Sequence, residues 1–269
     1  MQQSRVMSTV FLGVLLTIGC GSSKSQDASA TTKSADQTNA PMQLAEAPTT
    51  AQPASHAGAA SITGTVKFQG TAPSAEKMKM DADPACAQQH TTPVYSEEVV
   101  VNANNTLKNV FVYVKSGANG PFTTTTSPVT LTQSGCWYTP HVFGIQANQP
   151  LEIVNNDATL HNINAKPTTN QPFNIAQPVK GMKSTKKFTT PEMAIKFKCN
   201  VHPWMHAYGH VLAHSFFSVS GEDGSFTIAG LPAGTYVVEA WHEKYGSQTQ
   251  TVTVADGEKK SVEFSFKAP

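Results

Sequence analysis

Ala194-Ile195-Lys196-Phe197-Lys198-Cys199-Asn200-Val201-His202-Pro203-Trp204-Met205 is the stretch on which the fold turns. Its first half alternates apolar and lysine side chains, the pattern of a strand with one face in a core and one in water. Ile195, Phe197 and Cys199 share the inward face, so the thiol ends a core strand and points into an apolar pocket. The second half is a short loop carrying His202 and Met205. A thiolate, an imidazole and a thioether thus stand within seven residues. With 9 His and 8 Met in 269 residues, chance puts both at those spacings from a given cysteine about one time in a thousand. Such soft-to-intermediate donors select copper over harder ions, and the thioether argues against zinc. A second imidazole is still needed, and His161 in Thr159-Leu160-His161-Asn162 is the candidate, expected in the loop after a strand at Leu151-Glu152-Ile153-Val154-Asn155-Asn156-Asp157.

Around this stretch the strand signals are short and dense. Ile62 to Phe68 alternates, Val110 to Val114 is a β-branched and aromatic run, and Val142 to Ile145 precedes the Gln149-Pro150 turn. No amphipathic helix of useful length is present, so the expected class is all-β. Net charge is +1 with 14% charged residues, which leaves no basis for nucleic-acid binding.

Residues from about 128 to 214 resemble a cupredoxin, closest in ligand spacing to the amicyanins, whose site also uses a short Cys-x2-His-x2-Met loop. The resemblance implies a Greek-key β-sandwich with one type 1 copper held by His161, Cys199, His202 and Met205. Asn162 matches the family residue that ties the two ligand loops together by hydrogen bonding. In the family the histidine of the loop reaches the surface through an apolar patch where electrons leave, which Pro203 and Trp204 would flank here. His206 contests Met205 for the fourth position; His206, His210 and His214 otherwise read as loop residues, and His56 and His242 receive no metal role.

A second resemblance lies towards the C-terminus. Asp223-Gly224, Phe226-Thr227-Ile228 and Gly230-Leu231-Pro232-Ala233-Gly234-Thr235-Tyr236 look like the carboxypeptidase regulatory-like (transthyretin-like) β-sandwich. Asp223-Gly224 makes a tight turn, and Pro232 with Gly234 the next reversal. Ile62 to Gly70 resembles that family's first strand, and Val110 to Val114 another. The expected organisation is therefore a regulatory-like sandwich from residues 61–118 and 216–269, with the cupredoxin at 119–215 inserted in it; assignment of 61–118 to the cupredoxin side is the alternative.

At the N-terminus, Arg5 and the apolar Val10 to Leu16 precede Leu16-Thr17-Ile18-Gly19-Cys20, which resembles a bacterial lipobox with Thr17 where Leu is usual. The expectation is a signal peptide at 1–20, lipidation of Cys20 and a disordered tether over 21–60, rich in Ser, Thr, Ala and Gln. Ordinary secretion and a retained membrane anchor are the alternatives. Gly21, in place of the usual retention Asp, leans towards an outer membrane over other periplasmic or cell-surface placements. Of the four cysteines, Cys86 and Cys136 are then left over. Outside the cytoplasm they pair as a disulfide or, with His90 and His141, make a second metal site.

These readings combine into a membrane-tethered copper protein carrying single electrons between redox partners. Residues 180–198 hold six lysines against Glu192 alone, 6 − 1 = +5, which would suit a partner acidic at its docking face. Copper storage or delivery without redox turnover is one alternative. A surface carbohydrate- or protein-binding module with a structural metal is another. No nucleophile constellation, carboxylate pair or phosphate loop is visible, so catalysis is not expected.

Overall fold

Alternation at the start of the folded chain forms β1 (Ala60–Gln69), which buries Ile62, Val66 and Phe68 and turns Lys67 and Gln69 out. The computed structural model describes residues 60–268, in which sixteen strands accompany one four-residue helix, α1 (Pro84–Ala87). The expected signal peptide, the Cys20 lipid site and nearly all of the tether lie outside these residues. No helix among the described residues is long and apolar enough to cross a membrane.

The strands form four sheets. In the first, β1 lies between β13 (Ser225–Leu231), antiparallel to it, and β16 (Lys259–Lys267), parallel to it. The second has the order β12 (Phe217–Val219), β2 (Phe111–Ser116), β14 (Gly234–His242), β15 (Gly246–Val254). These two close on a core containing Ile62, Val112, Phe226, Ile228, Val238 and Phe264.

The chain between β2 and β12 supplies the other two sheets. One is ordered β4 (Tyr138–Thr139), β3 (Val129–Gln133), β6 (Leu151–Asn155), β9 (Lys183–Lys186). The other is ordered β5 (Val142–Gln146), β11 (His206–Leu212), β10 (Glu192–Lys198), β7 (His161–Ala165), β8 (Phe173–Gln177). Their shared core includes Leu131, Ile145, Ile153, Ile163, Phe188 and Phe197. The protein is all-β, two sandwiches in one chain.

Two elements differ from expectation. His161 opens strand β7 rather than sitting in a loop, and the stretch read as a histidine loop is strand β11. Both faces of β11 are covered, which removes the polar alternation that marks a half-exposed strand. Ala207, Gly209 and Val211 face the inner core, and a Cβ at Gly209 would come within 2.8 Å of the Phe143 and Phe197 rings. On the other face, His210 stacks on Phe111 at 4.1 Å and meets Trp241 at 4.5 Å, both from the other sandwich. A small cluster centred on Phe111, Tyr113, Val142 and Leu212 seals the two sandwiches together. Gly144 permits this approach, since a Cβ there would lie 2.3 Å from the Phe217 ring.

Candidate metal centre

The register of three strands brings the donors to one end of the five-stranded sheet. β10 pairs with β7 through Phe197–Ala165 and Lys198–Asn164, so Cys199 emerges beside the start of β7, where His161 stands. On its other side β10 pairs Lys198 with His206, and the loop between closes through Cys199 N–H to Met205 O at 3.1 Å and Met205 N–H to His202 O at 3.0 Å. The alternation of β10 holds to its end: Ile195, Phe197 and Cys199 are buried, with Lys196 and Lys198 exposed. His161, Cys199, His202 and Met205 are all at most 2% exposed.

Three donors converge. His161 Nδ1 lies 2.9 Å from His202 Nδ1, and Cys199 Sγ lies 3.7 Å from His202 Nδ1. Met205 is packed in the same core cluster as Cys199. Asn162 ties the loops together: its Oδ1 accepts from Asn200 N–H at 2.6 Å and lies 3.4 Å from Cys199 Sγ. The Cys199 sulfur also accepts the His202 backbone N–H at 3.4 Å.

Both rings are oriented by carboxylates. His161 Nε2 faces Asp157 Oδ2 at 2.8 Å, and His202 Nε2 faces Asp83 Oδ2 at 2.9 Å. Each Nε2 therefore carries a proton to donate, so in the neutral rings both Nδ1 atoms are acceptors aimed at each other. Two lone pairs at 2.9 Å repel unless a proton or a cation lies between them. Histidine metal ligands are held in this way, by a partner on the far nitrogen. Titration follows the same geometry. Burial opposes charge on His161, but Asp157 and Cys199 outweigh it and lift its pKa to about 9. Burial opposes the Cys199 thiolate too, yet His161 and the N–H groups of Asn162, His202 and Val201 bring it down to about 7. At neutral pH the raised pKa keeps a proton on His161 Nδ1, between the two rings, and a bound cation would displace it; the donor set fits a thiophilic cation.

The expected surface exit at His202 is not there. His202 is 1% exposed because α1 lies over its outer edge. Asp83 caps α1, accepting the Ala85 N–H at 2.8 Å, and turns its other oxygen to His202. Cys86 of the same helix places Sγ 3.5 Å from His202 Nε2 and is disulfide-bonded to Cys136. Trp204 is half-buried and donates to Cys136 O at 3.1 Å, with its ring 5.2 Å from that of His202. Asp157 completes the link by accepting the Gly135 and Cys136 N–H groups at 2.8 and 2.7 Å. The disulfide leaves no thiols for a site of Cys86 and Cys136 with His90 and His141. His90 contacts Gly135 O at 2.7 Å, and His141 pairs with Glu243.

The two candidates for a fourth donor stand in different surroundings. Met205 turns into the core, whereas His206 turns towards Glu243 of the other sandwich, 3.6 Å from its carboxylate. Asp83 and Asp157 are the residues that sequence reading missed. Asp157 had a local signal, a carboxylate four residues before His161; Asp83 lies 119 residues from His202 and had none. Of the six lysines, Lys183 and Lys186 lie on β9 and Lys196 and Lys198 on β10, strands of different sheets.

Residues 212–267 match the family model of the carboxypeptidase regulatory-like domain, and they contain β12 to β16 of the first sandwich. A search of curated protein sequences found no match. Solved structures similar to this chain include a purple cupredoxin from Nitrosopumilus maritimus, 19% identical, covering 31% of this chain and 98% of that one, with a TM-score of 0.27. A mutant amicyanin in its Cu(I) form is 15% identical over 32% of this chain and 82% of its own, at a TM-score of 0.29. A Cu-containing nitrite reductase from Thermus scotoductus is 18% identical; the match covers 55% of this chain but only 28% of the reductase, at a TM-score of 0.30. With TM-scores this low, the reading of the metal centre rests on its own donor atoms.

Proposed function

We propose that this chain holds one copper ion between His161, Cys199, His202 and Met205 and carries single electrons between partners outside the cytoplasm, tethered to a membrane through Cys20. The observation that supports this most is the pair of Nδ1 atoms 2.9 Å apart, each freed for a cation by a carboxylate on its far nitrogen, beside a buried thiol. Copper bound there would supply the one-electron couple between Cu(I) and Cu(II). The protein's part is to keep the donors still. Asp157 and Asp83 fix the two rings, Asn162 and the His202 N–H fix the sulfur, and the core fixes Met205. Donors held this firmly have little to rearrange when the charge changes, which favours fast exchange.

Burial sets the route. Electrons reach His202 through one layer of protein, formed by Asp83, Cys86 and Trp204, instead of through an open ring edge. With four protein donors there is no open position for a substrate, which supports a carrier rather than a catalyst. Film voltammetry of the copper-loaded full-length chain tests this reading. A reversible one-electron wave is expected. Irreversible reduction with release of copper would sink it and leave storage or delivery in its place.

A further inference from the structure

We propose that His141, His206 and Glu243 form a second metal site, for a divalent ion of the zinc class, at the junction of the two sandwiches. It shares no donor with the first centre and does not depend on it.

The local folding brings these side chains together. β11 runs parallel to β5, with Tyr208 opposite Val142 and the Tyr208 N–H donated to His141 O at 2.8 Å. This register places His141, just before β5, against His206, the first residue of β11; their ring centroids lie 5.1 Å apart. Glu243 arrives from the turn between β14 and β15 of the other sandwich. One of its oxygens meets His141 Nε2, and the other lies 3.6 Å from His206 Nε2. The three donor atoms all lie within 4.8 Å of one another.

Burial and chemistry point to a cation. The His141 and Glu243 side chains are only 1% and 8% exposed, and a carboxylate is costly to bury unless it is paired or bound to metal. Among the described residues His141 Nδ1 has no hydrogen-bond partner, and Glu243 holds the ring through Nε2. The His206 side chain is 21% exposed and opens the cluster to solvent. Two imidazoles and one carboxylate are a zinc donor set that leaves a position for water. One carboxylate is too few oxygens for calcium or magnesium, and the absence of sulfur from the set disfavours Cu(I). Because the histidines come from one sandwich and the carboxylate from the other, the ion would fasten the two together.

Equilibrium dialysis of the full-length chain against zinc, with metal content measured per chain, tests the site. Glu243→Gln and His206→Gln are each expected to bind one zinc fewer than the unaltered chain, in proteins whose circular dichroism is unchanged. His206 is partly exposed, so its replacement spares the fold should Glu243→Gln disrupt it. A zinc stoichiometry in both variants equal to that of the unaltered chain would overturn the proposal and leave only a salt bridge. Crystals of the unaltered chain grown with zinc give a check independent of variants: an anomalous peak between the three side chains is expected, and no peak there overturns the site.

Discussion

Asp157→Asn removes a charge from the first centre while keeping the shape of the side chain, and its consequences can be worked through bond by bond. Oδ2 accepts from Cys136 N–H at 2.7 Å and faces His161 Nε2 at 2.8 Å; Oδ1 accepts from Gly135 N–H at 2.8 Å. An amide keeps one acceptor oxygen and turns the other position into a donor. In its better orientation the oxygen still serves Cys136 and His161, and the new N–H group confronts the Gly135 N–H. The residue is 3% exposed, so water cannot repair the mismatch. One lost charge-assisted bond and one stranded buried donor together cost about 2–4 kcal/mol. His161 also loses its anionic partner, and losing such a partner weakens metal binding by about 10–100-fold. Urea unfolding of the metal-free chain reads the first effect, and competition with a copper chelator reads the second. A stability change below about 0.5 kcal/mol, the size of an ordinary surface substitution, with copper affinity unchanged, would refute the role given to Asp157.

Two further outcomes follow from the same geometry. Burial drives the pKa of His210 down to about 3 from 6.5, so between those values the unfolded chain takes up a proton that the folded chain refuses. Its contribution is intact above the unfolded pKa and falls with pH below it, by up to about 1.4 kcal/mol per unit; His210→Phe should flatten the acid limb of stability measured by urea titration, and an unchanged slope would contradict this. Replacing Cys86 and Cys136 together by Ser opens a link between residues 50 apart in sequence and is expected to cost about 2–4 kcal/mol. It also loosens α1 from His202, so His202 should gain reactivity towards an imidazole-modifying reagent, and a ring as protected as before would show that α1 stays in place without the disulfide.

Three of the four candidate donors stood out in the sequence because their information is local, whereas His161 lies 41 residues before His202 and carried no spacing signal of its own. Strand alternation aims Cys199 inward, and the loop spacing carries His202 and Met205. β11 was not legible, because both its faces are covered and its histidines look polar while His210 lies flat against Phe111. The cover over His202 was equally hidden. It depends on Asp83, 119 residues away in sequence, and no spacing rule connects them. The same holds for Glu243, which meets His141 only after two sandwiches have packed. Short-range pattern reveals donors at the ends of strands; what orients and shields them is set by tertiary contact.

The visible spectrum of the copper-loaded full-length chain, compared with Cys199→Ala, bears most directly on the central claim. A thiolate held beside two imidazoles in a buried pocket is expected to give an intense thiolate-to-Cu(II) band, bleached by reductant and absent from Cys199→Ala. A copper-loaded chain without colour, or a band that survives in Cys199→Ala, would contradict the account.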